Sequence, residues 1–155
     1  MRTTTVRCPK CGTKNRVPVA RAGVPRCSVC HTELPWIVDA EASDFDAIVD
    51  ATMPVLVDLW AEWCGPCRTV SPVVEALGRS HAGQLKIVKL DIDAAPAIAQ
   101  RYDVMSIPTL LLLRDGQEVD RAVGALPEPA LRAWLDEKLA ATGASHPAQS
   151  GATSP

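Results

Sequence analysis

The apolar positions of the chain follow two periods, and their order predicts a fold. Val55-Leu56-Val57-Asp58-Leu59-Trp60 is apolar except at Asp58, the pattern of a central strand covered on both faces. Residues 85–92 alternate at their start and predict a second strand, and residues 109–113, entered through Pro108, predict a third. Residues 118–123 return as its hairpin partner through Asp115-Gly116, a dipeptide suited to a tight turn. An opening strand falls around Trp36. Helical spacing occupies the intervals. Phe45, Ile48 and Val49 give one apolar face, with Ser43 expected to cap it and Pro54 to end it. Val70, Val73, Val74 and Leu77 define a helix running to about Ser80, with a kink expected at Pro72. Residues 94–102 are alanine-rich, and Leu126, Ala130, Leu131, Trp134, Leu135 and Leu139 trace a last amphipathic helix. The order β-α-β-α-β-α-β-β-α predicts an α/β protein with a central mixed sheet and helices on both faces.

Residues 1–33 do not fit this pattern. They hold scattered valines but almost no large apolar side chain, too little for a core of their own. They do hold Cys8-Pro9-Lys10-Cys11 and, after fifteen residues, Cys27-Ser28-Val29-Cys30. Two C-x₂-C knuckles at this separation form the sulfur pattern of a closed tetrahedral zinc site, with Cys8, Cys11, Cys27 and Cys30 as ligands. Four thiolates leave no open coordination position, so one structural Zn²⁺ is expected, and its binding could fold the segment. Gly12 suits the positive φ that such a knuckle needs at its end, and His31 is expected to face solvent beside the ligands. The chain therefore divides into a zinc ribbon at 1–33, an α/β domain at 34–141 and a Gly/Ser/Ala/Pro-rich tail at 142–155 that reads as disordered.

Charge sharpens the division. The net charge is −2, yet residues 1–32 carry seven basic side chains and no acidic one, while the rest carries nine basic against eighteen acidic. The basic residues are scattered without aromatic partners for base stacking, which argues against nucleic-acid binding. No run approaches the ~20 apolar residues of a membrane span, and the N-terminus lacks the apolar core of a secretory signal. A cytoplasmic location is expected, where cysteines serve more often as metal ligands or redox catalysts than as structural disulfides.

The remaining two cysteines lie in Trp63-Cys64-Gly65-Pro66-Cys67, between the central strand and the Val70–Leu77 periodicity. This puts Cys64 at a helix N-terminus, where unpaired N–H groups and the helix dipole favour a thiolate. Cys64 is the expected nucleophile toward a partner's disulfide, and Cys67 the thiol that resolves the mixed disulfide. Gly65 permits close approach of another backbone and Pro66 suits the first helical turn. Trp63 is placed to shape the surface beside Cys64, and Trp60 to pack or to support the site. Asp58, a carboxylate in an apolar strand, should have a raised pKa and could exchange a proton with Cys67.

From Trp36 to about Ala141 the sequence resembles the thioredoxin family, whose active-site motif stands here as Trp63–Cys67. The resemblance implies a thioredoxin fold and assigns Asp58 to the family's buried aspartate and Lys89 to the lysine that pairs with it. Pro72 matches the helix-kinking proline, and Ile107-Pro108-Thr109 the loop whose proline is cis and faces the cysteines. Gly124 matches a glycine of the substrate groove. The four additional cysteines narrow the likeness to the zinc-containing bacterial members. Met105-Ser106 departs from the Arg-Gly of the best-known bacterial relatives, which bears on partner choice. The implied activity is protein-disulfide reduction by a monomer with no bound redox cofactor, recharged by thioredoxin reductase and acting on disulfide-containing clients. The competing expectation is a redox-switched interaction or chaperone-like protein whose working part is the zinc ribbon.

Overall fold

Val55–Trp60 (β4) is the middle strand of a five-stranded sheet, and its composition explains that position. Val55, Val57 and Leu59 point to one face and Leu56, Asp58 and Trp60 to the other, so both faces need cover. In the computed structural model, which describes residues 2–141, the other strands are β3 (Trp36–Ala40), β5 (Lys86–Asp91), β6 (Thr109–Arg114) and β7 (Gln117–Val123). The spatial order is β3-β5-β4-β6-β7, with β3, β5 and β4 parallel and β6 and β7 antiparallel. Asp115 and Gly116 both adopt positive φ in the β6–β7 turn, as a two-residue hairpin requires.

Among the described residues four helices cover the sheet: α1 (Phe45–Val49), α2 (Gly65–Ser80), α3 (Pro96–Arg101) and α4 (Glu128–Ala141). Phe45 and Ile48 of α1 and Ile98 of α3 share one core with Val57, Leu59, Val88, Leu90 and Leu111. Val70, Val74 and Leu77 of α2 and Leu131 and Leu135 of α4 share the other with Leu56, Ile87, Leu110 and Leu112. Gly78 lets α2 lie close on the sheet: a Cβ there would sit 2.7 Å from Ile87 Cγ1. Two local expectations fail. Ser43 does not cap α1, because the N-cap is Asp44, whose carboxylate instead accepts from the Glu41 N–H at 2.7 Å. Ala130 is exposed, so the buried stripe of α4 is Leu131, Leu135 and Leu139 alone.

The N-terminal segment forms an antiparallel hairpin, β1 (Thr3–Arg7) and β2 (Lys14–Pro18). Its few apolar side chains are not left to themselves. Val17 and Val19 are buried in the same core as Leu34, Trp36 and Phe45, so the hairpin borrows the sheet's interior. Trp36 Nε1 donates to Pro18 O at 3.2 Å, and Lys86 Nζ donates to Val19 O and Ile48 O, each at 2.7 Å. Lys86 pairs with Val55 at the start of β4, whereas the Cys64 motif lies past the end of β4. The part of the hairpin that Lys86 reaches and the dithiol thus lie at opposite ends of β4, roughly 17 Å apart at about 3.3 Å per strand residue, while Arg2, just before β1, reaches Asp39 O in the later half of β3. The tail expected at 142–155 lies outside the described residues.

Candidate active site and candidate metal centre

At one end of the sheet, the chain leaves β4, turns at residues 61–63 and enters α2 at Cys64. Cys64 is the N-cap of this helix, in extended conformation, and its sulfur accepts from the Cys67 N–H at 3.1 Å. That bond satisfies one donor the helix start would otherwise leave free, and it would equally stabilise a Cys64 thiolate. Pro66 occupies the first turn, where its missing N–H costs nothing. Cys64 and Cys67 are joined as a disulfide, the oxidised form of the pair. Ala61, Trp60, Ile92 and Ile107 pack around it.

The expected groove residues gather here. Ile107–Pro108 is a cis peptide bond, and Ile107 packs on the cysteines. Gly124, at φ 95°, donates its N–H to Pro108 O at 2.9 Å and so ties the loop to the end of β7. Thr109 Oγ1 donates to Ser106 O at 2.6 Å. Trp63 is 67% exposed, and its indole N–H donates to Asp93 Oδ2 at 2.9 Å. Asp93 is not marked by the sequence; nothing in the pattern of residues 91–95 identifies it as the tryptophan's partner.

Asp58 lies behind the dithiol on the α2 face of β4 and is 1% exposed. Burial pushes its carboxyl up to about 6; the Lys89 charge lowers it and the Glu75 charge raises it again. Asp58 and Lys89 are register partners across β4 and β5. The direct ion pair expected between them is absent. Lys89 Nζ instead donates to Glu75 Oε2 at 2.7 Å and to Ser71 Oγ, both on α2. Asp58 Oδ2 and Trp60 Nε1 have no hydrogen-bond partner among the described residues. A cavity of about 180 Å³ opens beside these groups, lined by Asp39, Trp60, Cys67, Arg68, Ser71 and Lys89 among others. Cys67 therefore faces this cavity. Ser71 and Glu75 carry no signal in the sequence, because their side chains lie on α2 at positions where polar residues are ordinary.

At the other end, Cys8, Cys11, Cys27 and Cys30 converge, their sulfurs all within 4.8 Å of one another and none in a disulfide. Two knuckles build the cluster and repeat each other bond for bond. Cys8 O accepts from the Gly12 N–H at 2.9 Å, and Cys27 O from the His31 N–H at 3.0 Å. Lys10 N–H points at Cys8 Sγ and Val29 N–H at Cys27 Sγ, each at 3.4 Å. Gly12 (φ 77°) and His31 (φ 64°) take the same left-handed conformation, which gives His31 a place in the turn while its ring stays exposed. Backbone N–H groups of Cys30 and Val29 lower the Cys27 thiol to about 6. Asn15, buried between the knuckles, donates to Thr13 O and accepts from the Ser28 N–H. Sulfur separations of 3.6 Å for Cys8–Cys30 and Cys11–Cys27 compare with the roughly 3.8 Å edge of a tetrahedron with ~2.3 Å metal–sulfur bonds. The cluster could hold one metal ion.

The thioredoxin family profile matches residues 36–137, from the first strand of the sheet into α4. The chain is 47% identical over 92 residues to thioredoxin 1 of Synechococcus elongatus, covering 59% of this chain and 86% of that one. It is also 47% identical over 103 residues to a thioredoxin of Staphylococcus aureus, covering 66% of this chain and 98% of that one. The chain belongs to the thioredoxin family. It is a disulfide oxidoreductase of that type and performs thiol–disulfide exchange through Cys64 and Cys67. The matched profile begins at Trp36 and leaves the four-cysteine hairpin outside it.

Proposed function

We propose that this chain reduces disulfides in client proteins in the cytoplasm, is recharged by thioredoxin reductase, and is of the zinc-containing bacterial kind called thioredoxin 2. The observation that carries the reading is a reactive pair at a helix N-terminus, packed against the cis Ile107–Pro108 bond. In the reduced protein the Cys64 thiolate attacks one sulfur of a client disulfide; a bond forms from Cys64 to that sulfur, and the other leaves as a thiolate. Cys67 then gives its proton to Asp58 and attacks Cys64 Sγ. The Cys64–Cys67 bond forms, and the second client sulfur leaves as a thiolate. Two electrons have passed from the dithiol to the client. Asp58 suits the proton step because its carboxyl titrates near the working pH. Lys89 tunes that carboxyl by its charge, Trp60 walls the cavity, and Trp63, Gly65, Pro66, Ile107, Pro108 and Gly124 form the surface against which an extended client segment pairs.

Residues 1–33 serve as the metal module and 34–141 as the catalytic domain. Cys8, Cys11, Cys27 and Cys30 would hold a Zn²⁺ ion, which when bound supplies cross-linking of the two knuckles. Cys64 and Cys67 remain as the pair free to turn over. The chain acts as a monomer. The competing reading, a redox-switched hairpin that binds clients by itself, draws on the basic charge of residues 1–32.

The test is trapping. Cys67→Ser should freeze mixed disulfides on Cys64 that mass spectrometry resolves to client cysteines, and Cys64→Ser should abolish insulin reduction with dithiothreitol. Client capture that persists in Cys64→Ser but disappears when the four hairpin cysteines are replaced by serine would favour the interaction protein.

A further inference from the structure

The cavity beside Cys67 contains an arrangement that the cysteines alone do not require. Asp39, Lys89 and Asp58 lie side by side on β3, β5 and β4, on the face that α2 covers. An ammonium set between two carboxylates of neighbouring strands is well placed to bond either. Lys89 bonds neither. Its Nζ turns to α2, to Glu75 Oε2 at 2.7 Å and to Ser71 Oγ. Ser71 and Glu75 are four residues apart and so stand one helical turn from each other on the same helix face. Two of the ammonium's three donors are thereby committed to the helix. Asp58 Oδ2 is left buried and without a hydrogen-bond partner among the described residues.

We propose that Glu75 and Ser71 are positioning residues for the exchange reaction, holding the Lys89 ammonium against α2 so that Asp58 stays without a hydrogen-bonded counter-ion and can take the Cys67 proton. The inference rests on the role proposed above for Asp58. A hydrogen-bonded Lys89–Asp58 pair in this interior would favour the carboxylate, lower its proton affinity and make it a weaker base toward Cys67. Glu75 acts against that pairing by its own charge and by geometry; Ser71, which is neutral, acts by geometry alone. The other groups that face Asp58 do not replace them. Asp39 on β3 is exposed and stands on the far side of Lys89, β6 contributes the apolar Leu110, and Arg68 at the cavity rim donates to Glu62 O at 2.6 Å. Glu75 is 40% exposed at its side chain and Lys89 15%, so the clamp works through hydrogen-bond geometry more than through a strong, fully buried ion pair.

The experiment tracks the Asp58 carboxyl by carbon-13 NMR through a pH titration of the oxidised full-length chain, with the pH dependence of the disulfide-reduction rate measured alongside. Glu75→Gln should lower the Asp58 midpoint by about one pH unit, a tenfold loss of proton affinity. Ser71→Ala should lower it by less but in the same direction, although it changes no charge. In a Lys89→Met background both shifts should shrink to a small remainder. The rate profile should move with the midpoint, which a purely structural role for either residue would leave unmoved. An unmoved midpoint in Ser71→Ala, or a Glu75→Gln shift of full size that survives in Lys89→Met, overturns the proposal. The NMR titration reports where the lysine sits whether or not Asp58 moves a proton in turnover. The rate profile of Asp58→Asn judges that earlier reading separately.

Discussion

The two ends of the sheet use the same cysteine spacing for different purposes, and the backbone immediately after the second cysteine decides which. After Cys11 and Cys30 the chain enters a left-handed residue, Gly12 or His31, whose N–H folds back onto the carbonyl of the first cysteine and closes the knuckle. Both sulfurs of a knuckle then point toward one centre, and two knuckles converge. After Cys67 the chain continues into a sixteen-residue helix whose apolar face, Val70, Val74 and Leu77, is buried on the sheet. There the two sulfurs face each other and bond. Among the described residues each end also buries one acidic or basic side chain, and the contrast is equally direct. Lys86, which is fully buried, has each neighbour it needs: two backbone carbonyls and the Trp36 ring, whose centroid is 3.8 Å from Nζ. Asp58 has an oxygen with no partner among the described residues. A satisfied buried charge holds structure together, and an unsatisfied one is poised to change its protonation.

The largest effect should come from removing metal at the hairpin end. Its apolar side chains are few and its strands are short, so a metal ion held by the four sulfurs would supply much of its stability, an apparent ~10–16 kcal/mol where such sites bind zinc. Chelation at neutral pH, or the four cysteines replaced together by serine, should strip hydrogen-exchange protection from the β1 and β2 amides. The five-stranded sheet and insulin reduction by Cys64 should persist. Hairpin amides that stay protected after metal removal would show that the shared core of Val17, Val19 and Trp36 suffices.

Next in size is Lys86→Met, which deprives Val19 O and Ile48 O of their donor in a dry interior. At about 1–3 kcal/mol for each unpaired group, partly offset by no longer burying a charge, the net loss at pH 7 should be about 3 kcal/mol in urea unfolding. Burial lowers the Lys86 ammonium to about 8, below its ordinary 10.5. Between those values the unfolded chain binds the proton and the native one has released it, so wild-type stability should rise with pH from about 8 toward 10.5. Lys86→Met should lose that rise. Turnover at Cys64 should be unchanged, since the substitution lies at the far end of β5 from the dithiol. A variant that keeps its stability but loses activity would break the assignment of this end to structure.

The order of elements, the two faces of β4 and both sets of cysteines are legible in the sequence because each rests on a local signal: a period, a turn dipeptide or a fixed spacing. The expectation for Lys89 fails in its partner, and the reason is tertiary. Register places Lys89 beside Asp58, but only the packing angle of α2 decides that Ser71 and Glu75 reach the ammonium first. Lys86 and Lys89 look alike in the sequence, three residues apart in an alternating strand. That odd spacing puts them on opposite faces, one sealed under Trp36 and the hairpin, the other beside the dithiol cavity. No local pattern says which face the hairpin will cover. Asp58 is legible as an anomaly, a carboxylate in an apolar run, although its missing bond is not.

The smallest of the three effects has the opposite sign, and it tests the contrast between the two buried charges most directly. Asp58 titrates near 6 in the folded protein against 3.8 for an ordinary aspartate. Between those values the native state holds a proton that the unfolded chain has lost, so stability falls as pH rises from about 4 to about 6 and then levels off. Above pH 6 the buried carboxylate costs the fold about 2–3 kcal/mol. Asp58→Asn removes the charge while keeping the shape, so the oxidised variant should gain up to that amount in urea unfolding at pH 8 and almost nothing at pH 3.5. With Asp58 in the role proposed above, reduction of client disulfides near pH 7 should slow, because the variant offers Cys67 no carboxylate to take its proton. A gain in stability together with slower turnover is what a functional buried charge produces. Lys86→Met should produce the reverse, a loss of stability with turnover intact. If Asp58→Asn proves less stable than wild type at pH 8, Asp58 is held in the oxidised fold by compensating interactions, and the distinction between a satisfied and an unsatisfied end fails at its more informative member.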